Sequence, residues 1–354
     1  MKSGLRAAFG WGSAQAATRM VVGFASIKVT AVLLGPAGIA LVGQAANFLT
    51  LMQGTLGNAI QTAVTKLTAE EQGDASTHLP LWGTAMRLAI GLAIVAGILV
   101  AVFNRPLARW LFDREDLGYV VIATGLVLPF TLLTQALSGI LTGLRSFRLV
   151  ALFNMSTTLL GALIFIGLSY AFGLPGGLIG TIVAVASGAL VIVAVIRRAK
   201  ALPIRAGFRH WEAALVPSIV AFYPMLLVHS AAEPLTLILV RDAIIGTSGV
   251  EQAGLWQAVL RLSNMYTMVL ITTLSMYSLP TLSAIKDPGE FRSVMFGMAA
   301  KMGAATAAAA LLIYLCRDLI VHVVFSAKFG AVRDLIGVQL VGDVLNVASW
   351  PLHS

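Results

Sequence analysis

The chain has 354 residues, of which 58% are hydrophobic and 11% charged, with a mean hydropathy of +0.90. Water-soluble domains run at roughly 45–50% apolar and about 25% charged, so this composition excludes a soluble fold and makes the bilayer the solvent. The net charge of +9 sits in short loops; no continuous basic, aromatic-interleaved surface forms, which argues against a nucleic-acid partner.

Hydropathy punctuated by Gly, Pro and charge predicts an all-α, polytopic transmembrane helix bundle. Ten spans fall near 10–34, 38–64, 82–103, 117–142, 149–172, 176–196, 213–240, 253–282, 294–325 and 335 to the end. The first follows a basic start (Lys2, Arg6) but is too long for a signal-peptide core, so it stays as a helix. The single cysteine, Cys316, excludes an internal disulfide and a multi-cysteine metal cage.

The turns at Leu34-Gly35-Pro36-Ala37-Gly38 and Phe172-Gly173-Leu174-Pro175-Gly176-Gly177 carry no charge and are expected outside. With the N-terminus cytoplasmic, the inside loops hold Lys2, Arg6, Lys66, Arg145, Arg148, Arg197, Arg198, Lys200, Arg205, Arg209, Lys286 and Arg292. The outside loops hold Arg105, Arg109, Arg114, Arg241, Arg317, Lys328 and Arg333. Twelve basic residues against seven favours the N-terminus inside.

The basic loop from Arg197 to His210 reads as the join of two domains, 1–200 with six helices and 201–354 with four, and as a topological anchor. An internal repeat supports two halves. Ala37-Gly38-Ile39 through Lys66-Leu67-Thr68-Ala69 resembles Ala253-Gly254-Leu255 through Thr281-Leu282-Ser283-Ala284, pairing the second span of each half. Repeats of this kind recur in transporters, whose substrates bind between the halves.

Side chains three or four apart share a helix face. In the second span Gln44, Asn47, Thr55, Asn58 and Thr62 follow that spacing, and in the eighth Gln257, Arg261, Asn264, Thr272 and Ser275 do. One stripe alone can be interhelical hydrogen bonding. Two matched stripes, one with an arginine, point to a wet cavity between the halves.

Ionisable groups within spans mark function, because each costs about 2.5–3.5 kcal/mol at a helix centre. Here they are Arg19, Lys28, Glu233, Arg261 and Asp343. Arg19 and Lys28 lie on opposite faces of a straight helix, so sharing one cavity requires a bend near Gly23, and snorkelling is the alternative for both. Arg261 falls on a polar stripe and is expected in the lumen. Glu233 and Asp343 serve either ion coupling or charge pairing with Arg261 and Lys28. Pro217, Pro224 and Pro234 make the seventh span a hinge or a static kink.

No zinc-protease, Walker or nucleophile-elbow pattern is present and the histidines are scattered, so neither a cofactor, a metal nor an enzyme activity is expected. Several motifs instead carry a resemblance. Leu33-Leu34-Gly35-Pro36-Ala37-Gly38, Leu255-Trp256-Gln257, Leu279-Pro280-Thr281-Leu282-Ser283, Lys328-Phe329 with Arg333-Asp334-Leu335, and Gln339-Leu340-Val341-Gly342-Asp343 look like Wzx-type flippases. These belong to the multidrug/oligosaccharidyl-lipid/polysaccharide exporter superfamily, and the likeness is nearest to the branch handling enterobacterial common antigen and O-antigen units.

The resemblance implies a twelve-helix, two-bundle transporter of the bacterial inner membrane, of which the chain ends inside the tenth helix. It implies an undecaprenyl-diphosphate-linked oligosaccharide as substrate, membrane lipid as surroundings, and a polysaccharide polymerase and chain-length regulator as partners. Arg19, Lys28 and Arg261 are then expected on the diphosphate, and Gln44, Asn47, Asn58, Gln257 and Asn264 along the glycan path. The rival readings are an ion-coupled multidrug exporter of the same superfamily and a membrane glycosyltransferase or polymerase. The first should favour carboxylates and aromatics in its cavity, and the second a large outside loop.

Overall fold

A computed structural model describes residues 2–70, 77–199, 208–283, 288–325 and 329–349. Lys200, Arg205, Lys286, Lys328 and the segment 350–354 lie outside the described residues, as do the side chains of Lys2, Arg6, Thr272 and Ser275. The described residues form helices joined by turns. In chain order these are α1 (Lys2–Leu33), α2 (Gly35–Glu70), α3 (Leu79–Val102), α4 (Asn104–Phe112), α5 (Gly118–Gly143), α6 (Phe147–Ala199), α7 (Val216–Val220), α8 (Tyr223–Ser248), α9 (Val250–Ser283), α10 (Pro288–Leu315), α11 (Arg317–Val324) and α12 (Val332–Ser349). Gly173 breaks α6 into two arms, so ten long helices stand where ten spans are expected. Among the described residues, six stretches are individually long and apolar enough to cross a bilayer. The chain is a multi-pass, all-α membrane protein.

Packing gathers the chain into two compact units, Met1–Val22 with Leu41–Thr247, and Gly23–Ala40 with Ser248–Ser354. These divisions fall inside α1, inside α2 and at the last residue of α8. They differ from the 1–200 and 201–354 domains expected of the sequence, because α8 packs along α2.

Within the first unit, small residues decide which helices meet, as they must where lipid is as apolar as leucine and association rests on close van der Waals fit. On α5, Gly139 and Gly143 lie four apart and face α2. A methyl on Gly139 would sit 2.7 Å from the Gln61 carbonyl, and one on Gly143 would sit 2.9 Å from the Thr65 carbonyl. Gly57 receives Gln135 in the same parallel register, and Thr65 Oγ1 donates to the Gly139 carbonyl at 3.1 Å. Gly97 of α3 and Gly125 of α5 touch backbone to backbone. The core between these helices holds Ile60, Trp82, Met86, Leu128, Leu132, Leu137 and Ile192.

The arms of α6 reverse at Gly173, whose φ of 61° and ψ of −136° suit only glycine. Gly180 then packs on Phe165, Gly161 on Ala184 and Gly188 on Thr157, an antiparallel hairpin. Apolar side chains such as Ile98, Leu126, Leu163 and Leu190 remain exposed, in keeping with lipid contact.

The second unit closes around Ile27, Ile39, Leu255, Leu262, Ile336 and Leu340, with Phe325 and Phe329 stacked at 5.3 Å between centroids. Gly254 of α9 lies so near the Pro36 carbonyl that no side chain fits there.

Three details depart from the expected spans. The seventh begins as a short turn and α7, breaks at Ala221–Phe222, and continues to Ser248, which brings Arg241 into α8 rather than an outside loop. The ninth is interrupted at Cys316 into α10 and the short α11. The loop after the third span contains α4, an amphipathic helix that buries Ala108, Leu111 and Phe112 and exposes Arg105, Arg109 and Trp110. Each unit thus carries a short amphipathic helix between two long ones, α4 before α5 and α11 before α12.

Candidate functional site

Polar groups within the long helices fall into two clusters, one in each unit. In the first, the stripe on α2 meets α8, which runs antiparallel to it. Tyr223 OH donates to the Leu56 carbonyl at 2.7 Å, Asn58 Nδ2 donates to Ser230 Oγ at 2.9 Å, and Arg241 donates to Gln44 Oε1. Gly54 makes room for Ser230. Arg241 is fully buried and Gln44 is 1% exposed. A guanidinium at that depth is tolerable only with its donors engaged; the glutamine oxygen engages one.

The same unit keeps enclosed amide atoms that have no partner among the described residues, namely Gln44 Nε2 and Asn47 Nδ2 on the α8-facing side of α2, and Gln53 Nε2 of α2 and Gln135 Oε1 of α5 on its other side. Buried amides are ordinarily paired with protein or water, so this interior suits a polar guest. Thr55 turns its hydroxyl back to the Leu51 carbonyl of its own helix, and Thr62 is exposed. The stripe therefore divides its work: Gln44 and Asn58 tie helices together, and Asn47 Nδ2 has no partner among the described residues.

In the second unit Asp343 of α12 is 4% exposed. Its Oδ1 accepts from Ser263 Oγ at 2.5 Å and from Gln339 Nε2 at 2.8 Å, and its Oδ2 accepts from Tyr266 OH at 2.5 Å. Hydroxyl and amide donors, not a cation, satisfy this carboxylate. Two residues before Ser263, Arg261 is half-buried in α9 and has no hydrogen-bond or ion-pair partner among the described residues. Gln257 is buried one turn earlier, and Asn264 is exposed.

Lys28 and Arg19 fall in different units. Lys28 Nζ donates to the carbonyls of Val323 at 2.8 Å and Phe325 at 3.0 Å, closing the end of α11, while Arg19 is exposed. Glu233 is exposed in α8, beside the buried Pro234. The structure thus brings Gln44 and Asn58 each to α8 and Asp343 to α9. It pairs neither Lys28 with Asp343 nor Glu233 with a basic group among the described residues.

Residues 29–333 match the family described as Polysaccharide biosynthesis protein. The chain belongs to that family. Two of its relatives are named Lipid III flippase. Those of Escherichia coli (strain K12) and Shigella flexneri are each 27% identical over 343 residues, covering 96% of this chain and 82% of theirs. Its fold is similar to that of a solved multidrug resistance MATE family transporter of the MOP superfamily, itself described as inward-facing, at a TM-score of 0.69, 14% identity, and 95% and 81% of the two chains. The MATE multidrug transporter DinF-BH, in complex with R6G, is similar at a TM-score of 0.58, 15% identity, and 96% and 82% coverage.

Sequence reasoning missed Arg241, Gln53, Gln135, Ser263, Tyr266 and Gln339. Arg241 was hidden by being charged near a span's end. Gln339 and Asp343, four apart on one helix, carry a legible signal, since that spacing puts two polar groups on one face.

Proposed function

We propose that this family member is a flippase that moves a polyprenyl-diphosphate-linked oligosaccharide across the bacterial inner membrane during surface polysaccharide biosynthesis. The observation that carries the reading is Arg261, a half-buried guanidinium in a membrane helix with no partner among the described residues. A cation left unpaired at that depth is costly, and an anionic head group is its natural complement, through charge-assisted hydrogen bonds. The enclosed amide atoms Gln44 Nε2, Asn47 Nδ2, Gln53 Nε2 and Gln135 Oε1, without partners among the described residues, suit sugar hydroxyls. Family membership and relatives named Lipid III flippase support the same substrate class.

The finer reading is an undecaprenyl-diphosphate carrier bearing an O-antigen or enterobacterial common antigen unit, delivered to a polymerase and chain-length regulator. The N-terminus is cytoplasmic, and two helical halves alternate access. Arg19, Lys28 and Arg261 meet the diphosphate in turn, with Asn58, Gln257 and Asn264 along the glycan path. Asp343, buried with three neutral donors and no ion pair among the described residues, is the group to hold a coupling cation, and Glu233 is the second carboxylate available to it.

The test is translocation of a fluorescent polyprenyl-diphosphate oligosaccharide in proteoliposomes. Wild type flips it, and Arg261→Ala slows flipping roughly ten- to a hundredfold, the worth of one charge-assisted contact. Equal rates refute the role of Arg261. The fold also fits a multidrug exporter; drug efflux without lipid flipping favours that reading.

A further inference from the structure

The end of α11 forms one wall of a pocket of about 560 Å³ in the second unit, lined by Lys28, Asp318, Val321, His322, Phe325, Gly330 and Arg333. That volume lies within the roughly 300–1,000 Å³ of small-molecule sites. We propose that this pocket is a phosphate-binding site in which Lys28, His322 and Arg333 hold the phosphate group of a lipid or lipid-linked ligand.

The charge balance sets the ligand's sign. Lys28 Nζ is fixed by the Val323 and Phe325 carbonyls, which orient the ammonium but carry no net charge. An ammonium has three N–H donors, so one remains for a ligand. Arg333 places its Nε 2.9 Å from Asp318 Oδ1, and its Nη groups have no other partner among the described residues. Asp318 is the single carboxylate in the wall among the described residues and is committed to Arg333. The pocket therefore retains a net positive charge even with His322 neutral, and its free polar groups are mainly donors. That arrangement complements a phosphate and opposes an organic cation.

The surroundings favour a phosphate that arrives on a lipid. Leu319 and Val323 on the other side of α11 are 64% and 58% exposed, and Leu315 of α10 and Val338 and Val341 of α12 are exposed apolar residues of the same unit. An acyl or prenyl chain can lie along such side chains while its head group enters the pocket. Assignment to the diphosphate of the flipped substrate rests on the flippase reading; the site itself rests on its own geometry.

Arg333 and His322 are exposed, so their replacement leaves buried packing intact, whereas replacing Lys28 also uncaps α11. The experiment is calorimetric titration of inorganic pyrophosphate into the purified full chain in neutral maltoside detergent, with Arg333→Gln and His322→Gln alongside wild type. Saturable binding that weakens roughly tenfold in Arg333→Gln, and measurably in His322→Gln, is the expected result. Absent wild-type binding, or equal affinity in both variants and wild type, overturns the proposal.

Repeating the titration in nanodiscs of phosphatidylcholine, with and without phosphatidylglycerol, separates the sources. Loss of pyrophosphate binding in the anionic discs identifies an ordinary lipid head group as the occupant, and retention identifies a diphosphate. Flipping without pyrophosphate binding overturns the pocket alone, and binding without flipping overturns the flippase reading alone.

Discussion

Replacing Asp343 separates two roles that one buried carboxylate can play, as an acceptor of hydrogen bonds and as a charge. Three donors converge on it, two of them hydroxyls at 2.5 Å and one an amide at 2.8 Å. In Asp343→Ala all three lose their acceptor at once. A hydrogen bond to a charged group contributes about 1.5–3 kcal/mol, and an unmet buried donor costs about 1–3 kcal/mol. Partial re-pairing of Ser263 with Gln339, whose groups already lie 3.4 Å apart, brings the net loss to about 3 kcal/mol. Asp343→Asn keeps the shape and one oxygen, and it removes the cost of a buried charge. Tyr266 and Ser263 can turn their hydroxyls to accept from the new amide. That variant should lie within about 1 kcal/mol of wild type. Thermal unfolding in detergent should place the alanine variant on the order of 6 °C below wild type, and the asparagine variant close to it. Indistinguishable midpoints for the two refute the hydrogen-bonded account. An asparagine variant that is stable but no longer responds to an imposed ion gradient in the flipping assay supports the coupling role.

Two further outcomes follow from local geometry. A methyl added at Gly125 lands 2.7 Å from the Gly97 carbonyl, a backbone atom that cannot swing aside, whereas Gly91 has nothing within 4 Å. Gly125→Ala should destabilise by about 1–3 kcal/mol in chemical unfolding, and Gly91→Ala should be neutral or stabilising by up to about 1 kcal/mol. The reverse order would show that α3 and α5 do not meet there. Lys28→Met removes both bonds to the last carbonyls of α11, at a cost of about 1–2 kcal/mol. Faster amide exchange across Arg317–Phe325, with little change in α3, is the expected signature in mass-spectrometric exchange.

Hydropathy made the ten long helices legible, because a segment with enough apolar residues to cross a bilayer has few other fates. It failed where a helix is too short or too polar to register. The helices α4 and α11 read as loop or as span because each is a brief amphipathic segment beside a long helix. A charged residue also biased the reading, since Arg241 suggested a loop while the backbone at that depth must stay hydrogen-bonded and therefore helical. Periodicity identified the polar face of α2, but a face does not name its partner. Asn58 meets Ser230 across 172 positions of sequence, and nothing in the local pattern points there. Gln135 escaped notice for a related reason, as a lone amide in an apolar span whose neighbour, Gly57, offers no side chain to signal the contact.

The α6 hairpin bears on how the chain enters its membrane. Between Arg148 and Arg197 there is no charged residue, so the reversal at Gly173 carries no topological instruction of its own. Both arginines lie at the open end of one antiparallel pair, and each pulls its own end toward the same leaflet. The two arms should therefore leave the insertion machinery together, as one loop pushed across from its tip. Lengthening either arm, or placing a lysine beside Gly173, would then disturb biogenesis before it disturbed any step of transport.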